Sequence, residues 1–455
     1  MIQIAGRKTS RGVEIRVGGK AYAILYPGEI WQDYPRQLQD VLLDNLVFAA
    51  TIHLPLAMKE AEVLYNTNRP LFQPHFFQNM IMDFPSCADV DRVSTSDLVR
   101  KFMNLKIRFL DNRVRLPQYS GTSSPDSSVV SLSFGKDSLL SYAVCREIGL
   151  NPRIAYVVEP SMKYEEKHKT ALARRFRREF GVKLDKITHS AGMLRDGVHL
   201  GVGKTELGWG LQSTEYALIL LPVAHSYDAR YMVFGNEQSC AAHYIDQEGY
   251  VCYPAYDQSH IWTLQIDSMT RLMSGEQVRT VSVIEPLMDI AVMGVLHHRY
   301  PDVGKYEMSC FTETESGRDR RWCLSCSICA KMYLLIKALG IDPQRVGLSK
   351  NMLTAKNRRF FSLFGGKNVA TYALTSLGRD EQLYAFYLAH KNGDHSELVK
   401  EFTHRFLREA REREEELRKM FFVIHRPITM PAEIEGRVLS IYREELARLQ
   451  EEAIP

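Results

Sequence analysis

The chain has 455 residues, long enough for two or three domains with ordinary cores. Apolar residues make up 45% and charged residues 25%, the balance of a soluble globular protein and not of a disordered or membrane-embedded one. The formal net charge is +4, too small to mark a nucleic-acid binder, so neither nucleic acid nor membrane is an expected partner.

At the amino end, Met1-Ile2-Gln3-Ile4-Ala5-Gly6-Arg7-Lys8 lacks the apolar core of a signal peptide. A cytoplasmic location is expected, where the eight cysteines should be reduced thiols or metal ligands. Val13 to Val17 alternates apolar and polar, and Ala21 to Leu25 follows a Gly18-Gly19 turn, which reads as two strands. Helical patterns start near Leu38 and near Ser96. Leu46 to Met58, interrupted by His53 and Pro55, is too short to span a bilayer and reads as a buried helix or strand. Residues 1–120 are therefore expected to form an α+β domain. Leu116 to Pro125, with its Pro, Gly, Thr and Ser residues, reads as a linker.

Beyond it the pattern changes. Apolar strands are predicted over 129–133, 154–158, 186–188 and 231–234, alternating with helices over 137–148, 164–180 and 214–225. That alternation predicts an α/β domain over 121–340, a parallel sheet with helices on both faces. Residues 341–455 read as a helical region, in which Glu401 to Met420 carries the dense mixed charge of a solvated helix face.

The most informative string is Ser133-Phe134-Gly135-Lys136-Asp137-Ser138, between a buried strand and a helix start. A helix N-terminus has unpartnered backbone N–H groups and a positive dipole end. Gly135 as a turn former would let successive amides point inward as an anion nest. Lys136 adds a cation for phosphate oxygens, and Ser133 and Ser138 add hydroxyl donors. Asp137 can cap the helix or help to hold Mg²⁺. The string is not a Walker A motif, and Gly203-Lys204-Thr205 fails that test too, because Val198 occupies the earlier glycine position.

The loop resembles the pyrophosphatase loop of the N-type ATP pyrophosphatases, usually Ser-Gly-Gly-X-Asp-Ser after the first strand. Ser133, Gly135, Asp137 and Ser138 match the fixed positions, Lys136 fills the variable one, and Phe134 departs by replacing the first glycine. The resemblance implies an adenine nucleotide α-hydrolase-like fold. It also implies ATP and Mg²⁺ as cofactors and cleavage between the α- and β-phosphates to leave an adenylated substrate. It further implies nucleotide contacts at the end of the second strand, where Glu159 falls, and at Phe234-Gly235-Asn236-Glu237-Gln238, where Gly235 falls.

Cys323, Cys326 and Cys329 form a C-x2-C-x2-C run, with Cys310 thirteen residues upstream. Thiols at this spacing can converge on structural Zn²⁺ or an iron–sulfur cluster, and buried free thiols are the plain alternative. The deazaguanine-synthase branch of the family carries a similar cluster, which favours zinc.

The chain's plan, with phenylalanine in the loop, is similar to that of the ATP-dependent epimerases that invert the terminal glutamate of UDP-N-acetylmuramoyl-L-alanyl-L-glutamate. This implies a small-molecule UDP-muramoyl dipeptide substrate, AMP and pyrophosphate as products, and a role in peptidoglycan precursor synthesis. Adenylating the α-carboxylate would let it accept the charge of a deprotonated α-carbon. Two other readings stay open: a deazapurine- or tRNA-modifying enzyme of the same superfamily, and a nucleotide-binding regulatory protein. Lys136 and Asp137 are the expected catalytic residues at the phosphates. Among the candidate bases His199, His225, His243, His260, Glu206 and Glu237, His243 ranks first because it follows the Phe234–Gln238 segment closely.

Overall fold

The computed structural model describes residues 1–452 apart from 312 and 370. Its strands are β1 (Ile2–Thr9), β2 (Gly12–Val17), β3 (Lys20–Leu25), β4 (Glu62–Arg69), β5 (Lys106–Val114), β6 (Ser124–Ser131), β7 (Pro152–Val158), β8 (Leu184–His189), β9 (Ala229–Val233), β10 (Tyr244–Ile245), β11 (Val251–Cys252) and β12 (Arg279–Val281). β10 and β11 form a small ribbon, and the other strands form one ten-stranded sheet in the order β12-β9-β6-β7-β8-β3-β2-β1-β4-β5. The half from β12 to β8 is parallel throughout. β8 then pairs antiparallel with β3, through Ile24 opposite His189 and Leu25 opposite Thr188. The β3-β2-β1 meander follows, and β4 and β5 continue it in parallel. The fold is therefore α/β around a large, mostly parallel sheet.

Side chains alternate across a strand, so neighbours enter opposite layers. Val129 of β6, Ala155 of β7 and Met232 of β9 join the core built by helices Arg36–Ala49, Gln73–Asp91, Gln212–Ser226 and His260–Met273. Val130, Ile154 and Val233 join the other core, with helices Lys136–Glu147, Lys163–Phe180, Asp289–Arg299, Ser327–Ala338 and Ser376–Lys391. Burial on both faces is why these strands read as near-continuous apolar runs.

Three details differ from the sequence reading. β6 starts at Ser124, inside the stretch expected to be a linker, because Ser124 is drawn into the ladder opposite Ala229 while its side chain stays exposed. The strand also ends at Ser131, two residues early, which frees Leu132 to Gly135 for the loop. The charged tail is broken into Glu397–Arg405, Leu407–Glu412 and Glu414–Phe421, and it is not simply solvated. Arg413 pairs with Asp380 at 2.6 Å and Arg379 with Glu409 at 2.8 Å, while Leu417 and Phe421 are buried.

The segment Arg36–Ala57 is long and apolar enough to cross a membrane by composition, yet 83% of that window is buried inside the fold. Its buried Asp44 and Asn45 accept hydrogen bonds from the backbone N–H groups of Asn68 and Phe72, as befits a core helix.

Candidate active site

β6 lies between β7 and β9, the point at which the strand order reverses. Ligands of open parallel sheets bind outside the carboxyl ends of the strands at such a point. The loop after β6 sits there. Phe134 adopts φ +62°, the left-handed region that costs a side-chain-bearing residue about 1–2 kcal/mol. Its ring is fully buried, edge-to-face with Phe176 at 5.8 Å and with Tyr156 at 6.2 Å, and that packing offsets the strain. The positive-φ position thus belongs to Phe134. Gly135 has an ordinary φ of −71°, which corrects the turn-forming role expected of it.

Hydroxyls tie the loop together. Ser133 N–H donates to Ser138 Oγ at 3.2 Å, and Ser138 Oγ donates to Gly135 O at 3.1 Å. Met308 N–H donates to Phe134 O at 2.7 Å. The helix Lys136–Glu147 starts from Gly135 with no side-chain cap, so Asp137 does not act as the cap. Its carboxylate instead takes Lys136 Nζ at 2.5 Å. Gly235, just after β9, is required for close approach: a Cβ there would lie 2.7 Å from Asp137 Cβ and 3.2 Å from Ser138 N.

Lys136 is buried, not displayed on an exposed loop. Its Nζ also meets Asp289 Oδ1 at 2.5 Å, and Asp289 is paired on its other oxygen with Lys331. Lys331 reaches Glu381 at 3.5 Å and lies 4.4 Å from the centre of the Tyr372 ring. Two ammonium groups therefore share one carboxylate. Burial pushes Asp289 up, but Lys136 and Lys331 outweigh it and hold the carboxyl well below the usual range. Glu237 forms no ion pair among the described residues, and the pull of nearby Lys136 on it is outweighed. Burial, with Asp289 nearby, raises it to about 8. Burial likewise raises Glu381 to about 7. Near neutral pH the cluster thus carries little net negative charge, which favours entry of an anion.

These residues border a cavity of about 540 Å³ lined by Ser133, Gly135, Lys136, Asp137, Asp289, Lys331 and Tyr372. Glu159, at the end of β7, lines the opposite wall. Its carboxylate accepts from Tyr216 Oη at 2.8 Å and Gln212 Nε2 at 3.2 Å and pairs with the fully buried Arg195. Arg195 in turn pairs with Glu215 at 2.7 Å, and Glu215 with His189 at 2.8 Å. Burial pushes Glu159 up, but Arg195 and then His189 outweigh it, and the group stays ionised.

Phe134, Ser138 and Gly235 shape the loop from behind without lining the cavity. His243 is not brought to it. That side chain is exposed, 5.2 Å from the Tyr253 ring and in hydrogen-bond contact with Ala241 O at 3.3 Å. His199 and His225 are engaged with the hydroxyls of Tyr22 and Tyr119. Among the described residues no histidine lines the cavity, so the expected histidine base has no place there. Lys204 is exposed and likewise outside it.

Asp289, Lys331, Glu381, Tyr372 and Arg195 were not read from the sequence. Lys331 did leave a signal, as a lone charge between buried Ala330 and Met332 in the helix Ser327–Ala338. A cation enclosed by apolar neighbours needs an anionic partner.

The four cysteines converge. The Sγ atoms of Cys310, Cys323, Cys326 and Cys329 all lie within 4.8 Å of one another, and Cys323 and Cys329 are 3.7 Å apart. A tetrahedral zinc site with bonds of about 2.3 Å has sulfur–sulfur edges of about 3.8 Å, so the set fits Zn²⁺. Cys326 also caps the helix Ser327–Ala338 by accepting from Cys329 N–H at 3.4 Å. The cluster is coupled to the cavity at both ends: Cys310 follows Met308, which holds Phe134, and the capped helix carries Lys331.

Compared with protein-family models, curated proteins and solved structures, the chain matches none.

Proposed function

We propose that the protein is an N-type ATP pyrophosphatase that adenylates the α-carboxylate of the terminal glutamate of UDP-N-acetylmuramoyl-L-alanyl-L-glutamate and inverts its α-carbon. The observation that carries the first half is the Ser133–Ser138 loop at the switch point of the parallel sheet, with the ammonium groups of Lys136 and Lys331 beside it. The strand order supports an adenine nucleotide α-hydrolase-like fold. The substrate rests on the resemblance of the loop and of the chain's plan.

In this reading a carboxylate oxygen of the substrate attacks the α-phosphorus of ATP, the α–β bridging bond breaks, and pyrophosphate leaves. Lys136 and the helix amides stabilise the charge that develops on the phosphates. A divalent cation neutralises phosphate charge when bound, and Asp137, whose carboxylate opens on the cavity, is the residue that would hold it. A base removes the α-proton, the acyl-adenylate takes up the charge as an enolate, a proton returns to the other face, and water releases AMP. With no histidine lining the cavity among the described residues, removal of the proton falls to a lining carboxylate, Glu165 or Glu166, while Lys331 and Tyr372, packed together and held protonated, can return it.

The test is incubation with ATP and the UDP-muramoyl dipeptide in heavy water, followed by chiral analysis of glutamate and mass analysis of its α-carbon. Inversion with deuterium incorporation, both blocked by an α,β-methylene ATP analogue, is expected. Pyrophosphate release on a nucleobase acceptor without exchange would move the assignment to the deazapurine- or tRNA-modifying branch.

A further inference from the structure

The helix Lys163–Phe180 borders two hollows. Glu165, Glu166 and Lys169 line the cavity at the loop. His168, Leu172 and Arg175 line a second pocket of about 430 Å³, completed by Lys305, Arg321 and Arg345. Six residues separate Lys169 from Arg175, which is about 9 Å along the helix axis. Six residues also turn a helix by about 600°, so the two hollows lie on adjacent faces of that helix and not on one.

The second pocket has cationic walls and no carboxylate among its lining residues. Lys305 is accounted for, since its Nζ meets Glu179 Oε1 at 2.5 Å. The arginines are not. Among the described residues, Arg175, Arg321 and Arg345 form no ion pair with any carboxylate. Arg321 is half-buried, and its Nη1 is spent on Lys305 O at 3.0 Å. It is also crowded from one side by backbone, because a Cβ on Gly347 would lie 3.0 Å from its Nε. The guanidinium of Arg175 lies 6.0 Å from the Tyr306 ring centre, which steers it without neutralising it. Glu307 acts on Arg321 and Glu179 on Arg175 from nearby, but neither is in an ion pair with them, so the three guanidinium groups keep donors free for an anion, and their planar forks match phosphate oxygens in pairs. The pocket is larger than a single small anion needs.

We propose that this pocket is a second ligand site, separate from the adenylating loop, that binds a diphosphate group through Arg175, Arg321 and Arg345. The identity of the ligand rests on the proposed function: a UDP-linked substrate brings a diphosphate remote from its reacting carboxylate, and the one helix Lys163–Phe180 borders both hollows. The same chemistry could also come from the pyrophosphate that the loop releases.

Calorimetric titration of the full chain, saturated with α,β-methylene ATP to occupy the loop, separates the two sources. UDP, uridine and inorganic pyrophosphate are the probes. UDP is expected to bind, uridine to bind at least about tenfold more weakly, and Arg175→Gln and Arg345→Gln each to weaken UDP about tenfold. Both arginines are exposed, and melting curves verify that the variants fold; Arg345→Lys, which keeps the charge and loses the fork, is expected to recover part of the affinity. Pyrophosphate binding with the same losses, and no UDP binding, would support the pocket and make the released product its ligand. Absence of binding by both diphosphates, or binding unchanged in both glutamine variants, overturns the proposal. Glutamate inversion without a diphosphate site would remove this pocket and leave the proposed reaction standing. A site lost in the variants, with no inversion, would do the reverse.

Discussion

Lys136 stands between two carboxylates, so its removal has two effects that can be measured separately. Lys136→Ala is expected to abolish AMP formation. It should also cost about 3 kcal/mol of stability, the low end for breaking a buried pair, because Lys331 still neutralises Asp289. Ser138→Ala removes only hydroxyl hydrogen bonds within the loop and should cost about 1 kcal/mol while also suppressing AMP formation. Calorimetry and an AMP assay check both, and normal AMP production by either folded variant would remove the loop from the chemistry. Glu237 gives a pH-dependent prediction. Its pKa is raised from 4.5 to about 8 in the folded protein, so folding favours the protonated carboxyl. The stability it contributes is full below about 4.5 and is lost as pH rises towards 8. Glu237→Gln cannot ionise and keeps an oxygen for Ser239 N–H. Its melting temperature should therefore gain on the natural protein progressively from pH 5 to about 8 and then level off; a gap that closes over that range would contradict the assignment. The loop side chains were legible because their order is a local pattern. Asp289, Lys331 and Glu381 were not, because their meaning comes from meeting Lys136 across the fold.

The same contrast holds for strands, turns and helices. β6, β7 and β9 were legible as apolar runs buried on both faces. β12 has only three residues, and β5 is exposed or half-exposed along its whole length, so neither shows a core pattern. Gly235 was placed at the site by its position after a strand, but the reason for a glycine lies in the loop it touches. Gly235→Ala is expected to push Asp137 and the first helical turn aside, lower the melting temperature and reduce AMP formation by about tenfold or more, since small misplacements of reacting groups are costly. Wild-type AMP formation in this variant would show that the loop tolerates displacement. The cysteine cluster is an element-level device as well. It caps the helix that delivers Lys331 and sits two residues beyond the Met308 clamp on Phe134. About one Zn²⁺ per chain is expected by elemental analysis. Its removal by a strong chelator, or Cys326→Ser, should lower the melting temperature and AMP formation together, because metal binding energy is folding energy here. Loss of zinc with both quantities unchanged would return the thiols to simple packing.

The first 120 residues were read as a domain of their own, and the β-meander and helices in that stretch are present. Their edges, however, are not free. β3 continues the sheet at β8, and the helices Arg36–Ala49 and Gln73–Asp91 cover the face that presents Val129, Ala155, Ile187 and Met232. Composition and periodicity report which residues are apolar, not which distant surface they meet, so this joint was invisible in the sequence. It has a thermodynamic consequence. Each half covers apolar surface of the other, and a core that neither half completes alone should unfold in one step. Differential scanning calorimetry of the intact chain is expected to show a single transition with equal calorimetric and van't Hoff enthalpies. A fragment spanning 121–455 would expose the β8 edge and one apolar face of the parallel strands, and it should bind a hydrophobic dye and aggregate. Two separated transitions in the intact chain, or a soluble fragment with cooperative melting, would mean that the shared face contributes little and that the amino-terminal strands dock onto an already complete sheet.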